Sequence, residues 1–149
     1  MTTRLVRTPW LMAGLVYFAV VFLAGFALGT IRTLWLAPAI GQFPGVAIEL
    51  PFMLAASWFA CGWCLGKFQV SSQRARACMG AVAFFVLMMA EAVLAVAAFG
   101  MRLQDYAAGF VTAAGMLGLV GQAAFAAMPL FHPDARRTTG SRQEPRARS

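Results

Sequence analysis

Charged side chains are scarce in this sequence, and their scarcity excludes an ordinary soluble domain. Only 11 % of the 149 residues are Asp, Glu, Lys or Arg, whereas soluble domains carry about 25 %. Hydrophobic residues make up 61 % of the chain and are gathered into long runs that contain almost no charge. The sequence therefore predicts a protein whose solvent is lipid.

Residues that build catalytic and metal sites are also few. The chain has three cysteines and one histidine, His132, which follows the last apolar run. A single histidine in that position offers no geometry for a haem, a zinc ion or a catalytic triad. The sequence also lacks a phosphate-binding glycine loop. We therefore expect no catalytic residue, no metal site and no cofactor, and we favour a protein that is not an enzyme.

Four apolar runs are long enough to cross a bilayer as helices. A hydrocarbon core about 30 Å thick needs roughly 20 residues at a helical rise of about 1.5 Å per residue. The predicted spans are residues 10–31, 46–66, 78–99 and 106–131. They predict an all-α, integral membrane four-helix bundle that occupies residues 1–131.

The basic residues predict the orientation of this bundle. Ten of the twelve lie on one side of the predicted spans: Arg4, Arg7, Lys67, Arg74, Arg76, Arg136, Arg137, Arg142, Arg146 and Arg148. Arg32 and Arg102 lie on the other side. The positive-inside rule then places both termini in the cytoplasm and residues 32–45 and 100–105 outside. The polar, arginine-rich segment 132–149 is predicted to be a disordered cytoplasmic tail.

The formal net charge of +7 has an explanation that needs no nucleic acid. Arginines beside membrane helices set topology and attract the anionic lipids of the cytoplasmic face, at about 1 kcal/mol for each well-placed charge. We therefore expect the lipid bilayer and its anionic lipids as partners, and we do not expect nucleic acid.

The cysteines form the pattern Cys61-Gly62-Trp63-Cys64, whose spacing is found in redox pairs and in halves of metal sites. This pair lies at the predicted cytoplasmic end of the second span, where thiols are kept reduced. Cys78 lies at a similar depth, but three thiols without a nearby histidine make a poor zinc site. We favour buried small residues, and a membrane thiol oxidoreductase is the least favoured function.

Small residues predict where helices approach each other, because association in lipid depends on close packing. Candidate packing glycines occur in pairs on three of the predicted spans: Gly25 and Gly29, Gly62 and Gly66, and Gly115 and Gly118. Packing within the chain is the favoured interpretation. A homodimer face, or a face for another membrane protein, is the alternative.

The segment of residues 32–45 is too apolar for an ordinary exposed loop. Pro38, Gly41, Pro44 and Gly45 are expected to prevent a continuing helix there. Irregular backbone at membrane depth needs protein or water to satisfy its polar groups. We therefore expect this segment to lie in the membrane interface or to re-enter the membrane.

Polar residues at membrane positions where a polar side chain is energetically unfavourable form the candidate site. Arg32 ends the first span and Glu49 begins the second, so a charge pair is expected near the outer interface. Glu91 lies eight residues inside the outward end of the third span, which is about 12 Å deep. Ser57 and Thr112 reach the same depth on the second and fourth spans. The predicted polar cluster, with a binding or a structural role, is Arg32, Glu49, Ser57, Glu91 and Thr112.

Glu91 is the residue on which an active site would depend. A carboxyl group at this depth costs at least a few kcal/mol unless it is paired, neutralised or hydrated. Structural hydrogen bonding is the favoured role for Glu91. Proton or cation handling and contact with a partner are the alternatives.

The stretch Gly25-Phe26-Ala27-Leu28-Gly29-Thr30-Ile31-Arg32, together with Pro38, Gly41 and Glu49-Leu50-Pro51-Phe52-Met53, resembles the signature of a family of small four-span bacterial membrane proteins without an assigned activity. The resemblance covers about 30 residues. It implies a multi-pass protein of the bacterial inner membrane in which Arg32 and Glu49 act together. It supplies no substrate, reaction or partner.

Three functions are therefore open. The first is a non-catalytic membrane component that assembles with itself or with a partner, which the small size and the glycine pairs favour. The second is a small proton- or cation-coupled transporter that uses Glu91. The third is the thiol oxidoreductase, which the predicted compartment of Cys61 and Cys64 disfavours.

Overall fold

The computed structural model describes residues 9–133, and the regular secondary structure of that part is entirely helical. The elements in chain order are α1 (Pro9–Ile31), a π-helical segment (Arg32–Leu36), α2 (Ala37–Ile40), α3 (Gln42–Phe68), α4 (Gln73–Val93), a second π-helical segment (Leu94–Ala98), α5 (Leu103–Gly109) and α6 (Ala113–Phe131). The prediction of an all-α fold is confirmed for the described residues.

Four helices are long and apolar enough to cross a membrane: Pro9–Ile40, Gln42–Phe68, Gln73–Ala98 and Ala113–Phe131. Each contains one of the four predicted apolar runs or most of it. The first is one continuous helix, because α1, the first π-helical segment and α2 follow each other without a break.

The four long helices surround a common axis in the order α1, α3, α6, α4. Helix α1 packs against α3 and α4, and α6 packs against the same two helices. Helices α1 and α6 therefore face each other across the bundle, as do α3 and α4. This arrangement lets residues of all four helices line a single interior.

The buried core lies in one half of the bundle, which we call the core end. It includes the early part of α1 and of α4 and the late part of α3 and of α6. Tyr17 joins the facing helices there, because its ring stacks on Phe125 at 4.4 Å between centroids and its hydroxyl donates to the Phe125 carbonyl oxygen at 3.0 Å. The two ring systems close the centre of the bundle.

Arg76 ties the core end together. Its side chain is 5 % exposed, its Nε donates to the Val70 carbonyl oxygen at 3.3 Å, and its Nη1 donates to the His132 carbonyl oxygen at 2.8 Å. The His132 ring packs against the Trp58 ring, with 4.6 Å between the ring centroids and an angle of 31° between the planes. His132 is therefore held by contacts, and its assignment to a disordered tail is wrong. Residues 134–149 of the predicted tail lie outside the described residues.

Some of the predicted packing glycines lie close to a neighbouring side chain, and others have open space beside them. A Cβ at Gly25 would lie 3.1 Å from Met53 Cε, and one at Gly62 would lie 2.6 Å from His132 Nε2, so both admit a neighbour. A Cβ at Gly29 would make only ordinary contact, 3.8 Å from Glu49 Oε1.

The remaining predicted glycines differ from one another. Gly115 lies against the end of α5, because a Cβ there would overlap the Gly109 carbonyl oxygen, whereas nothing described lies within 4 Å of a Cβ at Gly66 or Gly118. Two of the long helices, α4 and α6, also approach closely at Gly80, where a Cβ would overlap the Ala126 carbonyl oxygen. Gly80 is not among the predicted packing glycines.

The prediction that residues 32–45 interrupt the helix is wrong for most of that segment. In the π-helical turn the Ala37 amide donates to the Arg32 carbonyl oxygen, and this wider turn precedes Pro38, whose ring would obstruct a regular α-helix. Pro44 lies in the first turn of α3, where amides lack helical partners anyway. The actual break is Gly41, whose φ of 92° suits glycine.

The prediction of one continuous fourth span from residue 106 to 131 is also wrong. Helix α5 ends at Gly109, and α6 begins only at Ala113. Thr112 is the N-cap of α6, because its Oγ1 accepts from the Gly115 amide at 3.0 Å. Threonine is a favoured cap, so the apolar run contains a helix start that hydropathy alone does not show.

Candidate functional site

A cavity of about 860 Å³ occupies the half of the bundle opposite the core end. The late part of α1, the early parts of α3 and α6, the end of α4 and helix α5 all contribute to its wall. Its floor meets the core at Val21, Ser57, Leu87 and Phe125, which are all buried. Most of the lining is apolar, and a small number of polar groups interrupt it.

Arg32 and Glu49 form an ion pair on the cavity wall. Arg32 Nε lies 2.5 Å from Glu49 Oε2, and Arg32 Nη1 donates to Gln42 Oε1 at 3.1 Å. Gly45 lets the arginine pass, because a Cβ there would lie 3.2 Å from Arg32 Cγ. The pair thus joins the start of the π-helical segment to the first two turns of α3.

Glu91 lies on α4, and its carboxyl group is hydrogen-bonded to Gln122 of the adjacent helix α6. Gln122 Nε2 donates to Glu91 Oε1 at 2.8 Å and to Glu91 Oε2 at 2.7 Å. No described cation forms an ion pair with Glu91, because the Arg32–Glu49 pair is the only ion pair found in residues 9–133. An amide partner satisfies hydrogen bonds of the carboxyl group but does not neutralise its charge.

Two buried polar atoms on the cavity wall lack a hydrogen-bond partner within residues 9–133. They are the Tyr106 hydroxyl and Gln122 Oε1. Burial first, and the nearby charge of Glu91 second, raise the pKa of the Tyr106 phenol above its ordinary value. Both atoms belong to side chains that line the same cavity as Glu91, whose carboxyl group has no cationic partner among residues 9–133.

Ser57 and Thr112 have different positions from those expected around Glu91. Ser57 is 2 % exposed and lies at the cavity floor. Thr112 does not line the cavity, because it caps α6 and its Oγ1 donates to the Gly109 carbonyl oxygen at 2.7 Å. Thr112 is therefore removed from the predicted polar cluster.

The acidic residues of the described chain all lie at one place in the structure. Residues 9–133 contain three of them, Glu49, Glu91 and Asp105, and all three line this cavity. Arg32 is the only basic residue among the lining residues, although the chain as a whole carries a formal charge of +7. The cavity is thus the acidic part of a basic protein.

The predicted polar cluster omits Gln122, the partner of Glu91, and it also omits Tyr106 and Asp105. The predicted depth match between Glu91 and the fourth span assumes a helix that begins at residue 106. With α6 starting at Ala113, Gln122 rather than Thr112 lies opposite Glu91. The usable signal was Gln122 itself, a polar residue in an apolar run in line with Gly115 and Gly118.

The cysteines and the possible metal ligands add nothing to this cavity. Cys61 and Cys64 are free, fully buried thiols at the core end, and Cys78 is exposed. Within residues 9–133, no three His, Cys, Asp or Glu side chains are grouped as metal ligands would be.

Comparisons of the chain with protein-family models, with curated proteins and with solved structures find no match. The resemblance of residues 25–53 to a bacterial four-span family therefore stays a prediction.

Proposed function

We propose that this chain is a multi-pass membrane protein that binds small organic cations in its cavity and exchanges them for a proton on Glu91. The observation that carries the proposal is that every acidic residue of the described chain lines one cavity. The four long apolar helices support insertion in a membrane.

Large apolar side chains on the outside of the bundle also support a lipid environment. Leu23 is 68 % exposed, Phe59 76 % and Phe85 64 %, and such a surface is unfavourable in water. We further propose a bacterial inner membrane, cytoplasmic termini and a cavity on the outward side. The arginine distribution and the resemblance of residues 25–53 support this placement.

The dimensions of the cavity suit a small molecule. Ligand sites have volumes of roughly 300–1,000 Å³, apolar walls and a few polar groups that orient the ligand. A cavity of about 860 Å³ with Glu91 and Gln122 on one wall has these properties. The apolar lining would hold the body of an amphipathic molecule, and the carboxyl group would hold its charge.

We propose exchange rather than simple binding because no described cation forms an ion pair with Glu91. A carboxylate away from water is expensive unless a positive charge is close to it. Arg32 is already engaged by Glu49 and Gln42. Either a proton or an organic cation can neutralise Glu91, and one replaces the other because both need the same oxygen atoms.

The experiment measures tetraphenylphosphonium binding to the full chain, purified in a mild detergent. This ion is permanently charged and lacks hydrogen-bond donors, so its binding reports charge and apolar contact. We expect Glu91→Gln to lower its affinity by about 30-fold or more, because the amide keeps the shape but removes the charge.

Asp105→Asn is the matched control. It makes the same chemical change in an exposed residue of the cavity wall, where water screens the charge, and we expect a loss of about threefold or less. Equal losses in both variants would reduce the proposal to general electrostatic attraction. Binding by Glu91→Gln as tight as by the unchanged protein would refute it.

The assembly function stays a hypothesis. Gly66 lies on α3 with nothing described within 4 Å of its potential Cβ, so a second membrane protein could approach there. A chain that binds no tetraphenylphosphonium but forms a stable oligomer in detergent would favour assembly over cation exchange.

A further inference from the structure

We infer that the cavity prefers primary ammonium groups to quaternary ones, because it presents unpartnered hydrogen-bond acceptors beside the charge of Glu91. This inference rests on the proposed function and concerns the chemistry of the cationic group. A primary ammonium carries three N–H donors, whereas a quaternary ammonium carries none.

The acceptors come from α6 and α5, which line the same cavity as Glu91. Gln122 uses its Nε2 on the carboxyl group, which leaves its Oε1 buried without a partner in residues 9–133. Tyr106, on α5, also lines the cavity, and its hydroxyl is a second buried oxygen without a partner in residues 9–133. An ammonium group bound at Glu91 can donate to the carboxylate, and rotation of the Gln122 and Tyr106 side chains toward it would give their oxygens the donors that they lack.

The phenol is suited to accept such a bond. A phenol is neutral at physiological pH, and burial and the charge of Glu91 raise the pKa of Tyr106 further, so the group keeps both its proton and its lone pairs. A neutral hydroxyl can accept from the ammonium while donating to another oxygen. A second carboxylate in this position would add charge but could not donate.

A quaternary ammonium would satisfy the charge of Glu91 but not these oxygens. Buried acceptors without a donor are unfavourable, and sites built around such groups discriminate strongly against ligands that cannot pair with them. The methyl groups would also hold the nitrogen farther from the carboxylate. The affinities of the two ligand classes should therefore differ because of hydrogen bonding. The electrostatic attraction to Glu91 contributes to the affinity of both.

The test uses 2-phenylethylamine and its N,N,N-trimethyl derivative, which share an apolar body and a single positive charge. Each competes with labelled tetraphenylphosphonium for the purified full chain. We expect the primary amine to bind about tenfold more tightly, as two or three modest hydrogen bonds would give.

Tyr106→Phe isolates one of these bonds. We expect it to weaken the primary amine by about fivefold and to change the affinity of the trimethyl derivative by less than about twofold. Tyr17→Phe is the matched control, since the Tyr17 hydroxyl already donates to the Phe125 carbonyl oxygen at the core end. The control should leave the ratio of the two affinities unchanged.

The outcomes separate the two proposals. Tetraphenylphosphonium binding with no preference between the amines, or with a preference for the trimethyl derivative, would overturn this inference and leave the cation site standing. A preference that Tyr106→Phe does not reduce would overturn the role of the phenol. Failure of all three cations to bind would overturn both proposals.

Discussion

Replacing Gly80 with alanine should loosen the packing of α4 against α6. A Cβ at this position would overlap the Ala126 carbonyl oxygen and lie 3.1 Å from the Ala126 carbonyl carbon. These are backbone atoms of the facing helix, so no side-chain rotation can relieve the overlap. Helices α4 and α6 would have to move apart at the core end, where Met79 and Phe125 are buried.

The magnitude follows from two opposing effects. Overpacking a close contact costs about 1–3 kcal/mol, and a backbone clash belongs at the upper end of that range. Alanine recovers about 1 kcal/mol because it is a better helix former than glycine. The expected net destabilisation by Gly80→Ala is therefore about 2 kcal/mol.

Gly66→Ala is the matched control in the same bundle. Nothing described lies within 4 Å of a Cβ at Gly66, so only the helix-propensity gain of up to about 1 kcal/mol should remain. Unfolding of the purified chain by sodium dodecyl sulfate, followed by circular dichroism, would measure the difference between the variants. A Gly80→Ala protein as stable as Gly66→Ala would refute the close approach of α4 to α6.

Two further stability predictions concern the arginines of the described chain. Arg32→Gln and Glu49→Gln should each destabilise the protein by about 1–2 kcal/mol, because the pair is partly exposed. The double variant should lose less stability than the sum of the two single losses. Additive losses in a double-mutant cycle measured by unfolding would exclude coupling between the two side chains. Arg76→Ala should lower the free energy of unfolding by about 2–4 kcal/mol, because it leaves the carbonyl groups that Arg76 binds without their donor. Arg74→Ala, at an exposed position, should change it by no more than about 0.5 kcal/mol. Similar losses in both variants would show that Arg76 does not hold the core end.

The long helices were predictable because the apolar runs are uninterrupted over the length that a membrane requires. Their ends were not, because end positions depend on local chemistry that hydropathy averages away. Pro38 is accommodated by a π-helical turn, and Thr112 caps a helix inside an apolar run. Both cases involve hydrogen bonds of single residues rather than the composition of a segment.

The site was predictable where charge was involved and not where neutral polar groups complete it. Arg32, Glu49 and Glu91 attract notice because an ionised side chain in lipid is costly. Gln122 and Tyr106 carry no charge, and their importance comes only from the atoms that they place beside Glu91. That juxtaposition depends on where α5 and α6 begin, which the sequence pattern did not determine.

In the proposed function, Glu91 holds a proton that an organic cation displaces. The most direct measurement treats the purified full chain with dicyclohexylcarbodiimide, which modifies protonated carboxyl groups in apolar surroundings, and locates the adduct by mass spectrometry with and without saturating tetraphenylphosphonium. We expect modification at Glu91 that the cation suppresses. An unmodified Glu91, or modification that saturating cation leaves unchanged, would contradict it.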